Sequence, residues 1–391
     1  MTTIYLDYNA TTPVAPSVTQ AMLPFLEEHF GNPSSSHQLG ERPRAAIARA
    51  RSQLAGMLSA NDDEIIFTSG GSEANNMALK GVMQQHEPSS SHLVISAFEH
   101  PAILEPARFL ERIGYGLTLV PVDQNGVVQP EQVAAAIQPG TRLVSIMHAN
   151  NEIGTMQPIR EIAEICRQQG VLVHTDAAQS IGKVPVDVDE LGVDLLTVAG
   201  HKVYAPKGVG ALYVRDGVTL EPVIHGAGHE RGFRAGTENT AYWVGLGEAA
   251  GRVDEQWKEH AARMERLRDQ LLSMLSDKLG QTLTVNGQQV TRLPNTLSVN
   301  FPSVIGGELL EATEGLCAST GAACHSGQTR LSATLAAIGL DPQIARGTVR
   351  LSLGWSTSED EIEAAAGMLA EAWHQLAEIE QQPAGDQGND G

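Results

Sequence analysis

Between residues 43 and 215, short apolar runs alternate with stretches whose apolar positions recur every three or four residues. The runs 64–68, 92–96, 142–147, 171–175, 194–198 and 210–214 have the length and branched content of buried strands. Segments 43–58, 101–113 and 159–169 carry a helical period instead. This alternation predicts an α/β domain around a largely parallel sheet, with its chemistry at the carboxyl ends of the strands. From 240 to 279 the pattern is helical, without Gly or Pro after Gly251, and long enough to link two units. Beyond it, short strands at 296–301 and 347–353 mix with helices, as in a smaller α+β domain. Ser358-Glu359-Asp360-Glu361 has the spacing of a capping box, and Ile362, Ala365, Leu369, Trp373 and Leu376 then follow at core spacing. The expected division is a large α/β domain over 15–255 and a small α+β domain from 1–14 and 256–380. A polar tail, 381–391, is expected to be disordered.

Composition narrows the partners. Lys and Arg number 26 against 46 Asp and Glu, a formal charge of −20, which repels phosphate backbones and anionic membranes. Nucleic acid and membrane partners are therefore not expected. Three cysteines make an odd, sparse set that argues against a disulfide framework and for a reducing compartment. Cys166 and Cys317 lie in apolar stretches and read as buried structural residues. The N-terminus lacks a basic segment followed by an apolar one, and no apolar run approaches a membrane span of roughly 18 residues. The expectation is a cytoplasmic protein.

Two strand ends carry the informative chemistry. Asp176 closes the run ending His174-Thr175-Asp176, and Lys202 follows the next one in Ala199-Gly200-His201-Lys202. Pyridoxal phosphate needs such a pair: a carboxylate to keep its pyridine nitrogen protonated, and a lysine to hold its aldehyde as a Schiff base. The turn Thr68-Ser69-Gly70-Gly71-Ser72-Glu73 opens a helix after a strand, where free N–H groups and the helix dipole suit a phosphate. His100 follows another strand. The run 225–239 contains His225-x3-His229, a zinc spacing only on a helix; Gly226, Gly228 and Gly232 argue against one, and no cysteine stands near. That run reads as an arginine-bearing loop reaching an anion or a subunit interface, and no metal site is expected.

Taken in order, Tyr8-Asn9-Ala10-Thr11-Thr12-Pro13, Gly31-Asn32-Pro33-Ser34-Ser35, Thr68 to Glu73, Asn150-Asn151-Glu152-Ile153-Gly154, His174 to Gln179, Gly200-His201-Lys202 and Arg231 to Asn239 form a joint pattern. The chain thereby resembles the class V aminotransferase-fold enzymes of the cysteine desulfurase and selenocysteine lyase group, from about Ile4 to the final helix. The resemblance implies fold type I of the pyridoxal phosphate enzymes: a mainly parallel seven-stranded sheet flanked by helices, with a smaller α+β C-terminal domain. It also implies a homodimer. Lys202 would hold the cofactor and move the Cα proton, Asp176 would pair with the pyridinium nitrogen, and His100 would stack on the ring. Asn151 and Gln179 would hydrogen-bond the cofactor, Gln179 near its phenolic oxygen. Gly71, Ser72 and His201 would hold the phosphate, and Thr237 would reach the phosphate of the other subunit. Arg350 would clamp the substrate carboxylate, with Asn151 beside it. The group often has serine just before Gly-His-Lys; this chain has Ala199, so somewhat looser cofactor binding is expected.

The reaction turns on Cys324. Small residues and two glycines surround it in Ala318-Ser319-Thr320-Gly321-Ala322-Ala323-Cys324-His325-Ser326-Gly327-Gln328, which reads as a mobile loop with an accessible thiol hinged at Gly321 and Gly327. His325 stands beside it to favour the thiolate. By resemblance, Cys324 takes sulfur from L-cysteine as a persulfide, leaves L-alanine, and passes the sulfur to an acceptor protein. Two alternatives remain: a selenocysteine lyase acting on L-selenocysteine, which shares these residues, and an aminotransferase of the same fold, which would need no Cys324.

Overall fold

The computed structural model describes residues 3–280, 283–320, 322–325 and 328–381. Its first strand is Ile4–Tyr5 (β1). Seven more follow: Ile65–Thr68 (β2), His92–Ser96 (β3), Gly116–Val120 (β4), Thr141–Ser145 (β5), Leu172–Asp176 (β6), Leu195–Ala199 (β7) and Gly210–Val214 (β8). These seven form one sheet in the order β2-β8-β7-β6-β5-β3-β4. All pairings are parallel except those of β8, which runs antiparallel to β2 and β7. Alternate residues go to opposite faces, as pleating requires. Ile65, Phe67, Leu196, Val198, Ala211 and Tyr213 pack on one side with helices Gln38–Leu58 and Ile159–Gln168. Ile66, Leu93, Ile95, Leu195 and Leu212 pack on the other with Gly71–Met83 and Pro101–Arg112. Burial on both faces is why six of these strands read as unbroken apolar runs. The seventh, β4, escaped the sequence pattern because it is an edge strand that starts on glycine and leaves Leu119 45% exposed.

The helix Thr240–Leu279 spans the length expected for it. Its first half buries Trp243, Leu246 and Val253 against the large sheet, and its second half buries Met264, Leu267, Leu271 and Leu275 in another cluster. That second core also holds Ile4 and Leu6 from the N-terminus. It is built on Thr284–Val285 (β9), Thr296–Asn300 (β10), Leu316–Cys317 (β11), Ser319–Thr320 (β12) and Thr348–Ser352 (β15). Two further strands, Ala322–His325 (β13) and Gln328–Leu331 (β14), form a separate hairpin. The sheet order is β12-β15-β10-β9, and β1 pairs in parallel with β11. The final helix is capped as expected: Ser358 N–H donates to the Glu361 carboxylate at 2.8 Å, and Glu361 N–H donates to Ser358 Oγ at 3.1 Å. Residues 382–391 of the expected disordered tail lie outside the described residues.

Two cysteine readings change. Cys317 is exposed, not buried: on the short strand β11, alternation turns Leu316 inward and Cys317 outward. Cys324 lies on a β-hairpin strand rather than in an irregular loop, with Cys324 opposite Thr329 and His325 opposite Gln328. The Cys324 side chain and both supposed hinges, Gly321 and Gly327, lie outside the described set. Cys166 is buried, as read, and burial pushes its thiol up to about 12.

Candidate active site

Three strand ends meet over one cavity. Asp176 is the last residue of β6, and Ala199 is the last of β7. After Ala199 a tight helical turn, Gly200–Lys202, carries the lysine. Gly200 is required there, since a Cβ would stand 2.7 Å from the carbonyl oxygen of Val209. From β2 the chain turns through Gly70, whose φ of +149° suits glycine, into the helix starting at Gly71. The N–H groups of that first turn have no intrahelical acceptor, and they belong to residues that line the cavity.

The cavity measures about 650 Å³. Gly71, Ser72, His100, Asn151, Asp176, Gln179, His201, Lys202 and Arg350 all line it, bringing together nine of the residues singled out from the sequence. Ala199 lines it too, so no hydroxyl is offered from that position. Thr237 does not line it; it is exposed just before the long helix.

Hydrogen bonds fix the polar groups. Asp176 accepts from Asn75 Nδ2 at 2.7 Å and from the N–H of Ala178 at 2.9 Å. Lys202 Nζ rests on the carbonyls of Asn9 and Ala10, the latter at 2.9 Å. Burial, then the Arg350 guanidinium, lowers Lys202 to about 8, against the opposite pull of Asp176 and Asp7. His100 caps the helix Pro101–Arg112, its Nδ1 accepting the N–H of Ala102 at 3.1 Å. That bond leaves the proton of the neutral ring on Nε2. Burial lowers its pKa, and Lys202 adds to this while Asp176 opposes it. His201 falls to about 4 through burial and then the neighbouring Lys202, Lys207 and His100. Arg350 donates to the Asn151 carbonyl at 3.0 Å and to Asp7 Oδ1 at 2.7 Å, while its buried Nε has no partner among the described residues.

The loop 225–239 is anchored to the sheet. Glu230 accepts from Arg51 at 2.5 and 3.0 Å and from the Phe67 N–H at 2.7 Å, while Arg234 Nε donates to Glu73 at 2.8 Å. Arg231 is exposed.

Four neighbours escaped the sequence reading. Asn75 and Glu99 flank the acidic end, and Asn9 and Lys183 flank the lysine end. Asn75 had a signal, being a polar residue on a helix stripe otherwise made of Ala74, Met77 and Ala78. Asn9 stood in a quoted string without a role. Lys183 is buried four residues after Gln179, with nothing in its spacing to mark it.

The donor set fits pyridoxal phosphate. A carboxylate held by an amide and a backbone N–H shares the cavity with a lysine that has no carboxylate hydrogen-bond partner among the described residues. Helix-end N–H groups and an arginine with an unused N–H suit a phosphate and a carboxylate, respectively.

Comparison with known proteins agrees. The family model "Aminotransferase class-V" matches residues 4–365. A cysteine desulfurase IscS of Dictyoglomus turgidum is 45% identical over 361 residues, covering 92% of this chain and 91% of its own. Among solved structures, a NifS-like protein superposes with a TM-score of 0.90 at 37% identity, covering 96% of this chain and 100% of its own. "SspA in complex with cysteine" gives 0.80 at 38%, covering 90% and 99%. The chain belongs to the class-V aminotransferase family, within its pyridoxal phosphate-dependent cysteine desulfurases.

Proposed function

We propose that this protein is a cysteine desulfurase that takes sulfur from L-cysteine onto Cys324 and releases L-alanine. The observation that carries the reading is the placement of Asp176, Lys202 and Arg350 around one cavity. Bound there, pyridoxal phosphate supplies an electron sink for the substrate Cα. Lys202 holds the cofactor aldehyde, and its depressed pKa of about 8 keeps a share of the amine neutral to take and return the Cα proton. Asp176 holds a proton at the pyridine nitrogen. Gly71, Ser72 and His201 bind the phosphate, the neutral His201 as a donor. His100, oriented by its cap bond, covers the ring face. Asn151 and Gln179 bond the cofactor, and Arg350, braced by Asp7, binds the substrate carboxylate.

The Cys324 thiolate then attacks the substrate sulfur. An S–S bond forms and the Cβ–S bond breaks. Its electron pair stays on Cβ, which takes a proton. L-cysteine and a thiol thus become L-alanine and a persulfide, ready for an acceptor protein.

The two hydrophobic cores support a large domain over 15–255 and a small one over 1–14 and 256–380. A homodimer fits the exposed Leu23, Leu26, Phe30 and Leu39, and the exposed Thr237 then serves the partner's phosphate. No described helix is long and apolar enough to cross a membrane, and we place the protein in the cytoplasm.

The test is alanine and sulfide release from L-cysteine under a thiol reductant. We expect the two products in equal amounts from the parent and a loss of roughly 100-fold or more in Cys324→Ala. Equal rates in the two proteins remove Cys324 from the mechanism. Turnover of L-selenocysteine with none of L-cysteine makes the protein a selenocysteine lyase.

A further inference from the structure

Lys183 is buried to 6% exposure and, among the described residues, has no carboxylate in hydrogen-bond contact. Three oxygens surround its Nζ: the Gln179 carbonyl at 3.0 Å, Gln179 Oε1 at 3.1 Å and Asn9 Oδ1 at 3.5 Å. Three acceptors match the three N–H bonds of an ammonium. A buried amine is costly, and burial, then Lys202 and Arg350, lowers its pKa to about 7. Those two cations are the charged groups that act on it; the anionic cofactor bound in the cavity pulls the other way. A lysine that merely filled space here would be replaced at less cost by an apolar side chain.

Its contacts settle the orientation of Gln179. With Oε1 on Lys183, the Gln179 amide presents Nε2 to the Asn9 carbonyl at 3.0 Å, leaving the amide a second N–H on a residue that lines the cavity. Resting on the reading of the site given above, we infer that Lys183 is a positioning residue that holds the Gln179 amide nitrogen, rather than its oxygen, toward the phenolic oxygen of the cofactor. A turned amide sets oxygen against that anionic oxygen, and the stabilisation of the anion is lost. The i to i+4 spacing of Gln179 and Lys183 puts both groups on successive turns of one backbone segment, so the pair forms locally once the segment folds.

The readout is the pH midpoint of the visible absorbance change of the cofactor-loaded protein. Stabilising the phenolate lowers that midpoint, so losing the Gln179 donor raises it. We expect Lys183→Met to retain the visible band and raise the midpoint by about one pH unit. Gln179→Ala raises it as well, and in that background Lys183→Met adds less than half its own effect. Lys183→Ala, which leaves room for water, serves the same comparison if methionine disturbs the fold. An unmoved midpoint, or a full shift in the Gln179→Ala background, overturns the inference. A parent protein that takes up no cofactor and shows no visible band refutes instead the cofactor reading of the cavity.

Discussion

Glu99 shows how one buried carboxyl shapes the acidic end of the site. Its Oε1 accepts from Ser96 Oγ at 2.6 Å and the Met147 N–H at 2.8 Å, while Oε2 is buried without a partner among the described residues. Burial pushes its pKa up to about 8 from 4.5. The folded chain therefore keeps a proton that the unfolded chain has released between these values. The stability this proton represents is complete below about pH 4.5 and is lost as pH rises through about 8. Glu99→Gln has no proton to lose and retains an oxygen for both donors. It should unfold at a higher temperature than the parent at pH 8, with the gap closing toward pH 5; a pH-independent difference in melting temperature contradicts this. Such residues explain where the sequence went silent. Asp176 and Lys202 were legible because each ends an apolar run, so their position in the fold was written locally. Glu99 stands next to His100, yet its role depends on Met147, 48 residues away. No spacing rule records that contact.

Among elements, the loop 225–239 carries the clearest conflict between local and tertiary preference. Glu230 and Arg231 both adopt left-handed backbone angles, φ +45° and +57°, which cost on the order of 1 kcal/mol each for residues with a Cβ. The Glu230 carboxylate, 3% exposed and bound to Arg51 and the Phe67 N–H, offsets that cost and fixes the loop to the end of the large sheet. Glu230→Ala should destabilise the protein by about 3 kcal/mol in denaturant unfolding and open the loop to limited proteolysis. Unchanged stability and cleavage would remove the anchor from the account. The sequence marked this stretch as an arginine-bearing loop from its glycines, but nothing local pairs residue 230 with residue 51. Regular elements were more legible. The strands buried on both faces and the long linking helix advertise themselves by pattern, whereas the edge strand β4 and the Cys324 hairpin have no strong pattern to show.

At the scale of the molecule, a monomer of 41.6 kDa leaves Phe30 77%, Leu26 59% and Leu39 58% exposed. Large apolar side chains left this exposed within one stretch of sequence suit the contact surface of the proposed dimer. Phe30→Asp combined with Leu26→Asp should shift the protein from dimer to monomer mass in sedimentation equilibrium at micromolar concentration. A parent already at monomer mass counts against the dimer and against a role for Thr237 across it. The two-core organisation was readable in outline, since the helix 240–279 separates two kinds of pattern. The way the chain ends return to the site was not, because β1 pairs with a strand more than 300 residues away.

That return has a consequence for how the protein is made. The Asn9 carbonyl meets both Gln179 and Lys202, and Asn9 is itself held by a bond from its N–H to Ser352 Oγ at 3.0 Å. Leu6, three residues earlier, accepts from the N–H of the same Ser352 at 2.8 Å. Residues 6–9 thus wait for the segment around Ser352 before they can seat. A nascent chain can build the large sheet early, but the finished pocket exists only when these two distant segments have met, so cofactor capture is confined to chains extended past residue 352.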